Sequence, residues 1–541
     1  MRGYDRHIGE FRFSPRGRRL ARHEFANARH NSLFHRQDLA IHVAPEDSLL
    51  ERCRPDVLLV FHGLLGVSAS NRSRDSGPLI KRCLVAHVYH LGCACVKSSV
   101  TRKQSGGYGF CYRPGPNMAR VGVILARQAT SANGVHKRLD VPSSKSSLEV
   151  AFVSTFPPRR CGIATYTADL VSAVEVAAPG LTSRRAIIDE HESRLPYRGQ
   201  IVCRIRQGDA QSYVRAARAL NASTVNVVNL QHEFALYGEW RDSTTGWTFS
   251  DHLRPMLELL EKPLVSTLHS VPPSPHPSVR DAIRALAELS DRVVVMAASA
   301  QPILAAEYGI QSETVVIPHG MPDISMEAKS NFKAMLGIEE RTLISTFGLV
   351  DPRKGLEFMI QAMPAVMQAH PEVLYLVAGQ THPDLIRREG ERYRATLVDI
   401  VRRLDLGDNV AFLDEYMTQQ EIIDLLVATD VYVTPYLDPL QITSGTLAYA
   451  LGAGRAIVST KYLHAQEALA DGRGIQVGFR DSDALAAAIN SVMDNPILRR
   501  DLEHRAYTYA RSMTWPRAGE RWVELMGQVV AKPRRARGAL V

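Results

Sequence analysis

From Leu148 onward, short apolar runs alternate with longer stretches of helical period. The runs fall at Leu148–Val153, Ser183–Ile188, Gln200–Ile205, Val225–Leu230, Leu264–Thr267, Arg292–Val295 and Thr314–Ile317. Helical spacing occupies several gaps, at Ala164–Val176, Gln211–Leu220, His252–Leu260 and Val279–Leu289. Runs that are largely apolar rather than alternating suit strands buried on both faces of a parallel sheet. The pattern restarts near Thr342, with strands predicted at Leu343–Phe347, Val373–Ala378, Val410–Leu413, Val431–Thr434 and Ala456–Ser459. Helices are predicted between them at Leu356–Gln368, Arg392–Arg403, Gln419–Val427, Leu447–Leu451 and Asp483–Met493. Two such series predict an α/β chain of two doubly wound, Rossmann-like domains facing a cleft, 148–320 and 321–512. Pro318, Gly320 and Pro322 mark the hinge. A helical stretch and a basic tail complete the chain at 513–541.

The first 147 residues do not follow this pattern. Their apolar stretches, such as Val57–Phe61 and Leu84–Tyr89, are joined by no regular succession, so a largely disordered basic extension is expected. The net charge of +9 belongs to this segment, which carries 24 Lys+Arg against 10 Asp+Glu, whereas the remainder carries 41 against 46. Clusters such as Arg16-Gly17-Arg18-Arg19 can touch nucleic acid or acidic lipid, but the missing periodicity favours an extension without a nucleic-acid partner. Cys93-Ala94-Cys95 has the wrong spacing for half a zinc site and no second pair follows, so unpaired thiols are expected. Only Cys161 and Cys203 lie beyond the segment, which fits a reducing cytoplasm. No secretory signal is expected after Met1, and no apolar run reaches the roughly 18–20 residues of a membrane helix. The basic tail Ala531–Arg537 is a candidate for weak peripheral contact at the inner membrane face, with a solvated tail preferred.

Candidate chemistry sits where predicted strands end. After Val431–Thr434 comes Pro435 to Gly454, with the polar cluster Gln441-Ile442-Thr443-Ser444-Gly445-Thr446-Leu447 opening a helix. Small polar residues at a helix N-terminus hold an anion, because the first amides are free and the helix dipole is positive there. After Leu343–Phe347 comes Gly348, then Asp351-Pro352-Arg353-Lys354-Gly355, where Lys354 can neutralise a phosphate. In the first domain Gly162 precedes a helix, Gln231-His232-Glu233 follows one strand and His269 follows another. His232 and His269 either donate to a phosphate or sugar hydroxyl, exchange a proton, or are hydrogen-bonded core groups. His319 lies in the hinge.

Together these residues resemble the retaining glycosyltransferases of the GT-B architecture, family 4, over about Leu148 to Val530. Cys161-Gly162-Ile163-Ala164 stands for the family's opening glycine loop, and Val316-Ile317-Pro318-His319-Gly320-Met321 for its Val-Ile-Pro-Asn-Gly-Val hinge. Gly348, Lys354 and Gly355 match the donor loop Gly-Arg-Leu, three residues, Lys-Gly, but Leu349 replaces the arginine, with Arg353 as a candidate substitute. Gln441 and Tyr449 stand at the two Glu positions of the family's Glu, seven residues, Glu motif, so the chain is read as a divergent subfamily with a Gln-Ile-Thr-Ser-Gly-Thr loop.

The resemblance implies a diphosphate on Lys354 and the amides near Ser444 to Leu447. It implies a base near Asp414-Glu415-Tyr416, with Gln441 and Tyr449 toward the sugars, and an acceptor near Gly162, His232 and His269. It also implies retention without a metal or resident cofactor, and a terminal helix crossing back to the first domain. The expected function is hexosyl transfer, mannosyl or glucosyl, from a nucleoside diphosphate sugar to a saccharide or lipid-linked acceptor. The alternatives are a sugar-nucleotide-binding relative without turnover and a GT-B phosphorylase; the latter often needs a pyridoxal lysine, for which no convincing site is found.

Overall fold

A computed structural model describes residues 148–532, apart from 191–194, 244–245 and 312–313, with the rest of 239–250 described by backbone alone. The expectations for 1–147 and for the tail beyond 532 lie outside the described residues.

The first sheet holds β1 (Glu149–Ser154), β2 (Thr182–Asp189), β3 (Ile201–Arg206) and β4 (Val227–His232). After a hairpin of β5 (Glu239–Ser243) and β6 (Gly246–Ser250), it continues with β7 (Leu264–Leu268), β8 (Arg292–Val295) and β9 (Thr314–Val316). Its order is β3-β2-β1-β4-β7-β8-β9, all parallel. The second sheet holds β10 (Leu343–Phe347), β11 (Leu374–Ala378), β12 (Val410–Leu413), β13 (Val431–Thr434), β14 (Ala456–Thr460) and β15 (Ile475–Val477). Its order is β12-β11-β10-β13-β14-β15, again parallel. Reversal of strand order beside β1 and beside β10 makes both sheets doubly wound, and ligands bind at the strand C-termini of such sheets.

The central strands are buried along their length; β4, β7, β10 and β11 have no exposed residue. The alternation that marks a half-buried strand is accordingly missing from their sequences. Five helices matter for the site: α1 (Gly162–Ala177), α2 (Leu356–Ala369), α3 (Gln419–Ala428), α4 (Gly445–Gly452) and α5 (Trp515–Ala531).

The chain passes between domains and back at one place. Met321 forms a parallel bridge with Thr514, donating its amide to Met513 O at 3.0 Å and accepting from Trp515 N at 2.8 Å. From there α5 runs onto the first domain and packs on α1 through Trp522, Met526 and Val529. Contact is close at Gly519, where a Cβ would lie 2.4 Å from Ala173 O. Traffic in the other direction comes from Ile442, on the loop before α4, which is buried in the first domain's hydrophobic cluster. The hairpin β5–β6, with Trp240 opposite Phe249, stands outside both sheets.

Candidate functional site

A cleft of about 350 Å³ lies between the two sheets. The second domain lines it with the turns after β10, β11 and β12 and the start of α4; the first domain contributes α1 and His319. The helix α1 presents Gly162, Thr165, Tyr166 and Asp169, one face at the spacing i, i+3, i+4, i+7. A Cβ on Gly162 would meet nothing within 4 Å, so this glycine leaves room in the cleft rather than permitting a close approach.

The floor is made by two glycines and a cap. Gly348 has φ +123°, and Gly379, at φ +145°, passes so close that a Cβ there would lie 2.0 Å from Gly348 O. Neither backbone suits a side chain, so the two strand ends meet as bare peptide. At α4 the Ser444 side chain is the N-cap, accepting from Leu447 N at 3.3 Å. Gly445 and Thr446 keep first-turn amides without an intrahelical acceptor, and both residues line the cleft. Ser444 and Leu447 are buried behind them, and Ser444 N donates to His464 Nδ1 at 2.9 Å.

Lys354 lines the same cleft from a short turn, Pro352–Lys354, capped by Asp351. Its Nζ lies 3.7 Å from the Tyr436 ring centroid, and Tyr436 Oη shares a 2.6 Å hydrogen bond with Thr446 Oγ1. One tyrosine thus ties the cation to the helix start. Burial, reinforced by the Arg353 charge, lowers the Lys354 pKa to about 7. A cation held that close to neutrality gains much from an arriving anion. Arg353 is spoken for: its Nε and Nη2 fork onto Asp351 at 2.8 and 3.1 Å, although it too borders the cleft. Burial raises the Asp351 carboxyl, but the Arg353 fork overrides it and the net shift is downward.

His319 Nδ1 lies 2.7 Å from Gly320 O. A carbonyl only accepts, so Nδ1 carries the proton and Nε2 is left as an acceptor. A Cβ on Gly445 would lie 2.7 Å from that Nε2, so the imidazole abuts the first residue of α4. Burial holds His319 near pKa 4, which keeps the ring neutral.

Of the residues singled out from sequence, Gly162, Gly348, Arg353, Lys354, Glu415, Tyr416, Gly445, Thr446 and Tyr449 come together as cleft lining. His232, His269, Gln441, Thr443, Ser444 and Leu447 do not line it. His232 is stacked on Tyr237 at 5.6 Å with its Nδ1 unpartnered among the described residues, and burial brings its pKa to about 4. His269 bonds Gln231 at 2.8 Å through Nε2 and meets the cleft only through the edge of Tyr166, 4.9 Å away. Burial brings it to about 3. Gln441 donates to Thr443 O at 2.9 Å, bracing its own loop, and Thr443 Oγ1 is buried without a partner among the described residues. Asp481-Ser482-Asp483 is an Asp-x-Asp triplet in the second domain, but it lies outside the cleft lining, and Asp481 caps the helix Ser482–Asp494.

Sequence reading missed Asp169, Thr165 and Gln419. Asp169 Oδ2 accepts from Tyr449 Oη at 3.1 Å and Gln419 Nε2 at 3.3 Å, and Thr165 Oγ1 meets Tyr416 Oη at 3.2 Å. The helical face of α1 was the available signal.

Comparison with known proteins bears on this geometry. Residues 328–510 match the family model described as glycosyl transferases group 1. A GDP-mannose-dependent monoacylated alpha-(1-6)-phosphatidylinositol monomannoside mannosyltransferase of Corynebacterium glutamicum is 29% identical over 210 residues, 37% of this chain and 51% of that protein. A phosphatidyl-myo-inositol mannosyltransferase of Mycolicibacterium smegmatis is 26% identical over 205 residues, 38% of this chain and 49% of that protein. The chain thus spans about half the length of these curated relatives. Among solved structures, Anabaena HepE in complex with UDP superposes with TM-score 0.54 at 15% identity, over 70% of this chain and 100% of that one. Sucrose-phosphate synthase of Thermosynechococcus elongatus gives 0.55 at 16%, over 71% and 99%. At such identities the structural likeness establishes the fold. Residues 328–510 thus match the glycosyl transferases of group 1, and the two-sheet architecture around them is the GT-B fold.

Proposed function

We propose that the protein is a hexosyltransferase, moving a mannosyl or glucosyl group from a nucleoside diphosphate sugar to a saccharide or lipid-linked acceptor. The observation that carries this is the pairing, through Tyr436, of Lys354 with the first turn of α4 in one cleft. An ammonium and the first-turn amides of Gly445 and Thr446, on residues that line one cleft, suit a diphosphate, above all one that gains charge as it leaves. In the proposed reaction the bond from the anomeric carbon to the phosphate oxygen breaks. The acceptor oxygen bonds that carbon, and its proton passes to the departing diphosphate. Lys354 and the amides of Gly445 and Thr446 stabilise the leaving group. Tyr416 and Glu415 border the nucleoside end, and α1 borders the acceptor's way in. Relatives named as mannosyltransferases acting on phosphatidylinositol mannosides support a lipid-linked acceptor, and HepE complexes with UDP and glucose support a hexose donor. Retention, and independence of metal and resident cofactor, belong to the same proposal, as does a cytoplasmic location.

One observation favours a second reading, binding without turnover. Gln441, at one missing Glu position, is turned into its own loop, and Tyr449, at the other, is engaged by Asp169. Thermal shift and calorimetry of the full chain with GDP, UDP, ADP and their hexose conjugates, with and without EDTA, test the donor site. Binding of one nucleotide, undiminished by EDTA, is expected; binding of none would overturn the assignment. Hydrolysis or transfer of the bound sugar, followed by NMR of the anomeric product, separates the enzyme from the binding protein.

A further inference from the structure

Asp169 is the acidic side chain that the first domain sets into the cleft, and the donor-site reading above gives it no task. It is held from across the cleft. Tyr449 and Gln419, which donate to its Oδ2, both belong to the second domain, and among the described residues its hydrogen bonds fall on that one oxygen. The Thr165–Tyr416 contact one turn earlier on α1 brings the same helix against the loop after β12. Asp169 therefore faces ligand space that both domains enclose. Burial raises its pKa to about 6, so at neutral pH it is a carboxylate that few water molecules reach.

Position and chemistry then narrow what it can meet. Tyr449 follows Gly445 by four residues on α4, one helical turn of about 5.4 Å. A group reaching Tyr449 and Asp169 is thus about one sugar removed from a diphosphate at the helix start. A carboxylate only accepts hydrogen bonds, and a phosphate offers none and carries like charge. The ligand group that suits Asp169 is a pair of adjacent hydroxyls, each donating to one oxygen or both sharing Oδ1, while Tyr449 and Gln419 fix the carboxylate plane.

We propose that Asp169, steered by Tyr449 and Gln419, receives the vicinal hydroxyls of a sugar joined to the bound diphosphate, ribose or hexose, so that the first domain helps to hold the donor. This rests on the donor-site reading. It also sets a carboxylate beside Tyr449, although both family Glu positions are occupied by Gln441 and Tyr449.

The test is calorimetry of the full chain with the nucleoside diphosphate that binds, its 2′,3′-dideoxy counterpart and its hexose conjugate, using wild type, Asp169→Asn and Asp169→Glu. Hydrogen bonds to a charged group predict that wild type prefers the ribonucleotide over the dideoxy form by about tenfold or more. The preference should fall toward unity in Asp169→Asn and be partly kept in Asp169→Glu. A purely structural clasp would weaken both nucleotides alike and leave the ratio unchanged. If the ribose ratio holds but the hexose conjugate loses about tenfold relative to the bare diphosphate, the diol is the hexose's and the role of Asp169 stands. Both ratios unmoved would overturn the inference while leaving the donor site intact. Failure of wild type to bind any of these nucleotides would remove the donor site and this inference together.

Discussion

The depressed pKa of Lys354 makes nucleotide affinity depend on pH in a way that can be worked out in advance. Below pH 7 the ammonium is present in the empty cleft; above about 7 most molecules lose it. At pH about 8.5 only some 3% of empty sites would be charged, because each pH unit beyond the pKa is a factor of ten. A charged hydrogen bond to the diphosphate contributes about 1.5–3 kcal/mol. That energy corresponds to a bound-state pKa higher by roughly one to two units. Affinity should therefore fall by about 5- to 25-fold between pH 7 and 9, part of a total change of about 10- to 100-fold that levels off at higher pH, with proton uptake on binding near pH 8. The window lies above the second ionisation of the nucleotide phosphate, near pH 6, so the ligand's charge is nearly constant. The perturbation is Lys354→Met, which keeps the stem over the Tyr436 ring. The variant should bind about 5- to 50-fold more weakly at pH 7, where half of the empty wild-type sites carry the charge, with no slope above it and no proton uptake. Without ligand the sign reverses. The folded pKa lies below the unfolded one, so the native protein binds fewer protons between them and stability rises with pH through that interval. Lys354→Met should thus raise the melting temperature most at about pH 6, where the charge is otherwise buried. Calorimetry in buffers of different ionisation enthalpy reads the uptake directly. An equal pH slope in wild type and variant would refute the placement of the diphosphate on Lys354.

Three other outcomes are expected. Gln441→Ala removes the brace to Thr443 O and should cost about 1 kcal/mol of stability while leaving nucleoside diphosphate affinity within about threefold; a tenfold loss would place Gln441 on the ligand. Ser444→Ala removes the cap on Leu447 N and should cost about 1 kcal/mol in denaturant unfolding. An unchanged midpoint would mean that α4 is held by its packing alone. Gly519→Ala puts a methyl 2.4 Å from Ala173 O and should destabilise by about 1–3 kcal/mol as α5 lifts from α1, whereas the exposed Gly527→Ala, with open space around it, should be neutral or stabilising. Equal melting temperatures for the two variants would contradict the tight α1–α5 contact.

Much of the fold was legible because parallel strands covered on both faces are written as apolar runs, and β10, β12 and β13 fall where the runs predict. What escaped was short or polar. β15 has three residues, and the helix Pro496–Ala510 buries only Leu502, Ala506 and Ala510, too narrow a stripe to announce itself. Helix Ala300–Tyr308 opens with neither a polar side-chain cap bond nor an acidic first turn. At the site, chain position gave the height of a residue above the sheet but not its direction. His232 and His269 do end strands, yet His232 turns under Tyr237 and His269 lies behind Tyr166. Asp169 was hard to single out for another reason: its helix also carries Thr165, Thr167, Ser172 and Glu175, and its partners arrive from 250 and 280 positions away.

Ile442 changes what the two-domain description means for engineering. The domains invite exchange between relatives, a new second domain joined to an old first one. Ile442 belongs by sequence to the second domain, yet it fills space in the hydrophobic cluster of the first. Later in the second domain, Glu467 accepts from Ala298 N and Ser299 N at the start of a first-domain helix, while His464 of the same short helix accepts from the Ser444 amide. A chimaera cut at the hinge would carry a void on one side and a stray apolar side chain on the other. The natural unit of recombination here is the first domain together with 439–468, so the helix start that lines the cleft and first-domain packing are inherited as one parcel.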